Sequence, residues 1–301
     1  MVIKYRQAHE NDHPITYDIA TKAMQDLLNR HNFPYPRAAV IQPTDLALRE
    51  YAYEFHRDSY WIAEDAGTPI GFALAVSTEA RWYLIALHVL PKYQGAGIGQ
   101  RLLQHTLSVS DKSSQILCVE TESIQPVSIA MYIRAGMFPW IPMYEWDGPI
   151  PDSLANTSEE FSFTSPDSPE SMHMIDQNVL GFQRSSEHQF WMNTRGLNIE
   201  VITHKGSVAG YVYFSKDGKI GPGATTVEHL MEPLILRAVE KSRELGASQV
   251  HLKIPGQSPA IQSVAESMGL RVRAPAATML ASRPIWRLGQ YLVSGSDSLL
   301  V

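Results

Sequence analysis

The sequence is nearly free of cysteine, with Cys118 alone among 301 residues. One thiol cannot form an intramolecular disulfide, and it cannot supply the paired cysteines of common zinc motifs. The chain also lacks the apolar segment that is typical of a signal peptide, and it has no run of about 18 apolar residues. We therefore expect a cytoplasmic protein that holds no metal and does not enter a membrane.

An excess of basic residues is missing as well. Acidic residues number 31 against 25 lysines and arginines, which gives a formal net charge of −6. A nucleic-acid-binding protein needs a basic face, so we expect no nucleic-acid partner. Hydrophobic residues make up 44% of the chain and charged residues 19%, a balance typical of a globular protein with a buried core. The length predicts two domains of about 150 residues each.

The first half of the chain alternates helices with strands. Apolar spacing predicts helices over 16–28 and 44–55, and short alternating runs predict strands over 60–64, 69–77 and 83–89. A further amphipathic helix begins at Ile98, and a strand follows over 116–120. Pro126 and Gly136 then mark the two ends of another helix. Together these elements predict a mixed α/β domain.

A glycine-rich stretch, QGAGIG at 94–99, lies between a predicted strand and the helix that follows it. The first turn of a helix has unpaired N–H groups and a partial positive charge. Glycines let several such amides converge on one anion, so the loop predicts a phosphate site, to which Lys92 and Arg101 would add charge. The pattern is neither the dinucleotide-binding fingerprint nor the GKS/T phosphate loop.

The longer stretch VLPKYQGAGIGQRLL resembles the acetyl-CoA-binding motif of the GNAT superfamily of N-acetyltransferases, V-x-P-x-(Y/W)-(Q/R)-G-x-G-(I/L)-G-x-x-L. Downstream, MYIRAGM resembles the L-Y-x-x-x-G-F motif of the same family, and the likeness covers about residues 60–140. The resemblance implies an α/β (α+β) fold, a twisted and mainly antiparallel sheet flanked by helices. It also implies that the sheet opens between its fourth and fifth strands to receive the pantetheine arm.

The resemblance further implies which residues contact acetyl-CoA. Three strand residues would present backbone groups to the pantetheine and the thioester, and an N–H near Val89 would polarise the thioester carbonyl. The amides of 95–100 would hold the pyrophosphate, and Gln125 stands where the family has asparagine. The complete implied set is Leu87, His88, Val89, Gln94, Gly95, Ala96, Gly97, Ile98, Gly99, Gln100 and Gln125.

Two catalytic residues also follow from the resemblance. In some family members the base is a glutamate five residues before that asparagine, and a tyrosine lies seven residues after it. Here those positions hold Glu120 and Tyr132. His88 and Glu122 are alternative bases, whereas Cys118 is expected in the core rather than as a nucleophile.

The second half repeats features of the first. GSVAGYVYF at 206–214 resembles GTPIGFALA at 67–75, which predicts a tandem duplication. KIGPGATTVEHLM stands where the glycine loop would be and lacks its spacing. We therefore expect a catalytic domain over 1–145, a Pro- and Ser-rich linker over 146–170, and a degenerate GNAT-like domain over 171–301 that binds no CoA.

The function that this reasoning favours is an acetyl-CoA-dependent N-acetyltransferase. Its acceptor would be a primary amine on a small molecule, and transfer would be direct, within a ternary complex. Two alternatives remain open: a non-catalytic acyl-CoA-binding or sensor protein, and a protein or peptide N-acetyltransferase. We expect a monomer whose two halves form an intramolecular pseudo-dimer.

Overall fold

A computed structural model describes residues 2–33, 44–154, 160–166, 169–194, 196–284 and 287–293. The chain forms two compact units. The first holds the residues up to Trp140 together with Met279–Arg283, and the second holds Ile141–Thr278 and the described residues from Pro284 onward. Within the described ranges, no helix is long and apolar enough to cross a membrane.

The first unit follows the predicted order of elements closely. Its elements are β1 (Ile3–Gln7), α1 (His13–Arg30), α2 (Thr44–Phe55), β2 (Tyr60–Asp65), β3 (Thr68–Ser77), β4 (Arg81–Val89), α3 (Ile98–Leu107), β5 (Ile116–Glu122) and α4 (Pro126–Arg134). Strands β1 to β4 are antiparallel neighbours, and β5 runs parallel to β4. The predicted mixed α/β class, with a mainly antiparallel sheet flanked by helices, is confirmed.

Two hydrophobic clusters cover the two faces of this sheet. On one face, Ile19 of α1 and Ala52 of α2 pack with Phe72 and other strand residues. On the other face, Leu102 of α3 and Tyr132 of α4 pack in a second cluster with further strand residues. Alternate strand residues therefore belong to different faces, as the period of two requires. This alternation decides which site residues share a face.

The second unit repeats the order of helices and strands. Its elements are β6 (Phe138–Pro149), β7 (Phe161–Thr164), α5 (Glu170–Val179), α6 (Ser185–Gln189), β8 (Asn198–His204), β9 (Ser207–Phe214), β10 (Lys219–Thr225), α7 (Met231–Glu244), β11 (Gln249–Pro255), α8 (Pro259–Ser267), β12 (Arg271–Val272) and β14 (Tyr291–Leu292). Strand β13 (Ala277–Ala281) lies mostly in the first unit. Strands β7 to β10 are antiparallel neighbours, and β11 is parallel to β10. The element order from β1 to α4 thus recurs from β7 to α8.

The compact units divide the chain differently from the predicted boundaries. Strand β6 follows α4 in sequence but belongs mostly to the second unit, and it runs to Pro149, past the expected boundary at 145. Conversely, Met279–Arg283 follows α8 but belongs to the first unit, where Ser282 and Leu117 share two hydrogen bonds. Of the expected linker, residues up to Pro149 and Phe161–Thr164 are strands, while 155–159 and 167–168 lie outside the described residues.

A buried ion pair lies at the centre of the second unit. Arg184 donates two hydrogen bonds of 2.9 Å to the two carboxylate oxygens of Asp176, and both side chains are fully buried. The Nε2 of His188 lies 2.9 Å from the same carboxylate, and a third bond of 2.8 Å joins Arg184 to the hydroxyl of Tyr291. Removal of either charge would leave the other buried without its counter-ion.

We expect Asp176→Ala to destabilise the protein by about 3–5 kcal/mol, because it leaves the Arg184 charge buried. Burial raises the pKa of Asp176, but Arg184 and His188 lower it further, to well below the usual range. The stabilisation is therefore complete above the unfolded-state pKa of about 4 and is lost as the pH falls below it. Urea unfolding of the variant tests this, with the exposed-pair variant Glu244→Gln as control. Equal stability of both variants would contradict it.

Candidate functional site

Strands β4 and β5 separate partway along their length. Their parallel register runs from Arg81 opposite Ile116 to Leu84 opposite Val119 and then ends. Strand β4 nevertheless continues to Val89, and β5 continues to Glu122. The sheet of the first unit thus has an opening between its fourth and fifth strands, beyond the last paired residues Leu84 and Val119.

Backbone direction shows which groups face this opening. The amide of Leu90 donates to the carbonyl of Ile70 on β3 at 2.8 Å. In an antiparallel pair, the residues that bond the neighbour alternate along the strand. The N–H and C=O groups of Leu87 and Val89 therefore point away from β3, toward the side where β5 diverges.

The glycine loop lies directly beyond the end of β4. Gly95 and Gly97 are exposed and adopt left-handed backbone angles, with φ of +80° and +78°. A Cβ atom at either position would meet no atom within 4 Å. Both residues therefore border open space, and both occupy a conformation that favours glycine. The concave backbone fits an anionic group such as a pyrophosphate.

The amides of this loop are available to such an anion. Within the described part of the chain, the first amide of α3 that bonds a backbone carbonyl is that of Arg101, which donates to the carbonyl of Gly97 at 3.2 Å. The preceding amides, from Ala96 to Gln100, lie at the positively charged end of the helix. We expected Gln94 to contact acetyl-CoA directly. In the structure its side-chain amide instead donates to the carbonyl of Val89 at 2.9 Å. Gln94 therefore ties the loop to the strand end.

The predicted catalytic residues lie on different faces of the sheet. Leu117 and Val119 of β5 belong to the α3 cluster, so by alternation Cys118, Glu120 and Glu122 face the other side. Both glutamates are half-buried, beyond the point where β5 leaves β4. Tyr132 packs within the α3 cluster instead. The carboxylates and the phenol thus lie on opposite faces of the sheet, the carboxylates beyond the point where β5 leaves β4.

His88 joins the two glutamates on their face of the sheet. Its ring lies 5.6 Å from the ring of Phe72, which belongs to the α1 and α2 cluster. Burial, followed by the positive charge of Arg49, lowers the pKa of His88 to about 4. An imidazole with such a pKa is a weak base at neutral pH, so a carboxylate is the better candidate for proton removal.

We expect the imidazole of His88 to stay neutral down to about pH 5, because burial and Arg49 disfavour its cation. Histidine NMR signals followed between pH 4 and 8 measure this, and the variant His88→Gln identifies the resonance. A titration midpoint above pH 6 would contradict the expectation.

Tyr132 and Cys118 keep their protons at neutral pH. Burial raises the pKa of Tyr132 well above its usual range, and it raises the pKa of Cys118 to about 12. Cys118 is buried, and its thiol lies 3.6 Å from the carbonyl of Trp82. These facts fit a core thiol rather than a nucleophile. Gln125 lies at the N-terminal cap of α4, and its backbone N–H donates to the backbone carbonyl of Glu122 at 3.0 Å.

One stretch of the sequence, HENDH at 9–13, matches the H-E-x-x-H zinc-binding pattern, although we expected no metal site. That pattern binds zinc when both histidines lie on one face of a helix. Here Glu10–Asp12 forms a 3-10 turn before α1, and the Asp12 carboxylate binds Arg6 at 2.6 and 2.9 Å. In the described ranges, no group of three or more potential metal ligands is found.

The second unit fills the corresponding opening with its own chain. Strands β10 and β11 pair only at Lys219 opposite His251 and Ile220 opposite Leu252. Beyond that point, β14 pairs with β10, and the bridge of Val293 to Lys253 joins the same segment to β11. Residues 291–293 therefore occupy the space that stays open in the first unit.

The loop of the second unit also differs from the predicted one. The first seven residues of KIGPGATTVEHLM form strand β10, so Pro222 lies within a strand rather than in an anion-binding loop. Only residues 226–230 connect β10 to α7. A Cβ atom on Gly289 would lie 2.5 Å from a carboxylate oxygen of Glu228, so that side chain packs against residue 289. A carboxylate at this position is unfavourable for a phosphate.

Comparison with known proteins agrees with this geometry. Residues 21–137 match the family model described as the acetyltransferase (GNAT) family. A solved acetyltransferase candidate from Pyrococcus horikoshii is 18% identical, with a TM-score of 0.72 over 96% of this chain and 92% of its own. A GCN5-related N-acetyltransferase from Sphaerobacter thermophilus is 13% identical, with a TM-score of 0.66 over 96% and 98%.

A tandem GNAT protein from the clavulanic acid biosynthesis pathway is 17% identical, with a TM-score of 0.60 over 94% of this chain and 99% of its own. The TM-scores of these three structures establish the fold over nearly the whole chain. The opened sheet and the glycine loop of the first unit lie within residues 21–137, the part of the chain that matches the GNAT acetyltransferase family, and this match supports acyl transfer by the first unit.

Proposed function

We propose that the protein transfers an acetyl group from acetyl-CoA to the primary amine of a small molecule. The transfer is direct and takes place in a ternary complex of protein, acetyl-CoA and amine. The observation that carries this proposal is the cradle formed by Gly95 and Gly97 at the mouth of an open sheet. When bound, acetyl-CoA supplies the acetyl group as a thioester. The second unit, whose opening is filled, would not bind CoA.

Binding is assigned to the backbone of the first unit. The amides from Gly95 to Gln100 would hold the pyrophosphate, and the exposed cations Lys92 and Arg101 would add favourable charge. The backbone of Leu87 and Val89 would contact the pantetheine arm, whereas the backbone groups of His88, expected to do the same, face β3 by the same alternation. The N–H of Val89 faces the opening and is the donor that would polarise the thioester carbonyl, while the carbonyl of Val89 accepts the side-chain amide of Gln94.

Proton transfer is assigned to two side chains. The carboxylate of Glu120 would accept a proton from the amine, directly or through a water molecule. The hydroxyl of Tyr132 would hold the proton that the departing sulfur needs. Its raised pKa keeps that proton in place at neutral pH until charge develops beside it.

A screen of acceptors with acetyl-CoA tests the proposal, with thiol release and product mass as readouts. We expect acetylation of small primary amines. Acetylation of peptides alone would instead support a peptide N-acetyltransferase. Tight CoA binding without thiol release above the chemical background would support a sensor protein and overturn the proposal.

A further inference from the structure

Strand β4 contains a β-bulge at the edge of the opening. Leu74 of β3 pairs with Ala86, but the next residue, Ala75, pairs with Leu84, so Ile85 is an extra residue in β4. Leu84 is also the residue at which the pairing of β4 with β5 ends. A bulge bends its strand and changes the direction of its side chains, and bulges are common next to active sites. The bulge of β4 therefore begins where the sheet opens.

The bulge places two apolar side chains beside the proposed base. Ile85 follows Leu84 on β4, and Glu120 follows Val119, the partner of Leu84 on β5. Leu84 and Val119 both belong to the α3 cluster. Ile85 and Ala86 instead pack against the α1 and α2 cluster, on the face toward which Glu120 points by alternation. An amine that gives its proton to Glu120 would thus approach along Ile85 and Ala86.

These two residues are part of a larger half-buried surface. Helix α1 packs against both β3 and β4. Ile15 of α1, Tyr53 of α2 and Leu90 are also half-buried and pack against the same cluster as Ile85 and Ala86. We call these five residues the bulge surface. Apolar side chains that still contact water favour a ligand that covers them, because such burial removes apolar area from water.

The polar groups in the interior of this face bond to one another. The hydroxyl of Thr16 donates to the carbonyl of His13 at 3.0 Å and lies 2.8 Å from the hydroxyl of Tyr60. Arg49 donates to the same Thr16 hydroxyl at 3.2 Å. Thr16 and Tyr60 are fully buried, and Arg49 is 5% exposed. These groups therefore stabilise the packing of α1 and α2 on the sheet, while the half-buried surface beside them is apolar and aromatic.

The second unit has the same bulge but buries it. In β10, the pairing with β9 shifts by one residue between Ile220 and Gly223. The offset that relates GSVAGYVYF to GTPIGFALA places residues 221–222, a glycine and a proline, where the first unit has Ile85 and Ala86. Residues 221–222 are buried, whereas Ile85 and Ala86 are half-buried. The unit whose opening stays free thus presents apolar side chains at its bulge, and the unit whose opening is filled buries the same positions.

We propose that the acceptor is an alkyl or arylalkyl amine, and that the bulge surface binds its apolar body and thereby selects the substrate. This assignment rests on the proposed transferase function and adds the chemical class of the acceptor to it. Ile85 is here a specificity-determining residue and takes no part in proton transfer.

Alkylamines of increasing length test the inference. In the wild type, kcat/KM should rise about 2- to 4-fold for each methylene from propylamine to hexylamine, because each buried methylene adds favourable transfer free energy. The polar probe is diglycolamine, a hydroxy ether amine whose chain has as many atoms as that of hexylamine. Its kcat/KM should be at least about 10-fold lower than that of hexylamine.

Ile85→Ser removes an apolar side chain from the bulge surface. The ratio of kcat/KM for hexylamine to that for diglycolamine should fall about 10-fold in this variant. The matched control is Ile3→Ser, which changes a half-buried isoleucine that packs against the α3 cluster, and its ratio should equal that of the wild type. If Ile85→Ser does not fold, Ala86→Leu adds volume to the same surface. The ratio of kcat/KM for hexylamine to that for methylamine should then fall about 10-fold.

Calorimetric titration of both amines into the CoA-saturated protein gives a readout that does not depend on turnover. Hexylamine should bind at least about 10-fold more tightly than diglycolamine, and Ile85→Ser should remove most of this difference.

Equal kcat/KM for hexylamine and diglycolamine in the wild type would overturn the inference and leave the transferase function standing. An unchanged ratio in folded Ile85→Ser, or an equal fall in Ile3→Ser, would do the same. Failure to acetylate any amine would overturn the proposed function and this inference together.

Discussion

Glu120→Gln and Tyr132→Phe should each lower kcat by about 10²–10⁴-fold, the usual effect of removing a general acid or base. The affinity for CoA should change little, because neither side chain is assigned to the phosphates. Glu120 lies beyond the point where β5 leaves β4, and Tyr132 packs on the opposite face of the sheet. Steady-state kinetics on the acceptor found by the screen, with CoA titrations of both variants, measure these effects.

The pH dependence separates a base from a residue that only shapes the site. The defect of Glu120→Gln should shrink at high pH, where the amine loses its proton without help. Glu122→Gln is a matched control, since Glu122 is two residues further along the same strand and faces the same side. Full kcat in both Glu120→Gln and Tyr132→Phe would contradict the assignment, and Glu122 would become the better candidate for the base, followed by His88.

Gly97→Asp should weaken CoA binding by at least about 100-fold. The new carboxylate would lie where the pyrophosphate is expected, and two like charges about 4 Å apart repel by several kcal/mol at an effective dielectric constant near 20. The left-handed backbone at this position adds strain for any residue with a Cβ. Calorimetry with CoA measures the change in Kd.

Gly67→Asp is the matched control for this substitution. Gly67 lies in the turn between β2 and β3, has a φ of +81°, and likewise borders space free of atoms within 4 Å. The two variants thus have the same kind of backbone strain. They differ in that only Gly97→Asp places the new carboxylate in the glycine loop. Unchanged CoA affinity in folded Gly97→Asp, or equal losses in both variants, would refute the cradle.

Local sequence patterns predicted much of the first unit. The helix bounds of α2 and the starts of β2, α3, β5 and α4 agree with the predictions because capping residues, prolines and glycines mark them directly. The glycine loop was equally visible, since a short contiguous motif determines its backbone. The side-chain bond of Gln94 to Val89 was missed, because spacing alone does not show which partner an amide finds.

Long-range relations were less accessible to sequence. Most of β6 belongs to the second unit, and Met279–Arg283 belongs to the first. This division depends on pairing between segments that are distant in sequence, so no local pattern predicts it. The same holds for Tyr291–Leu292, which fills the opening of the second unit.

Titration of the intact chain with CoA tests the central claim most directly, which is that the first unit alone forms the acetyl-CoA site. The open sheet and the cradle of Gly95 and Gly97 predict one CoA bound per chain, and the filled opening at residues 291–293 predicts no second site. The single site should disappear in Gly97→Asp and remain in Gly67→Asp. Two equivalent sites, or a single site that survives in Gly97→Asp, would contradict the account.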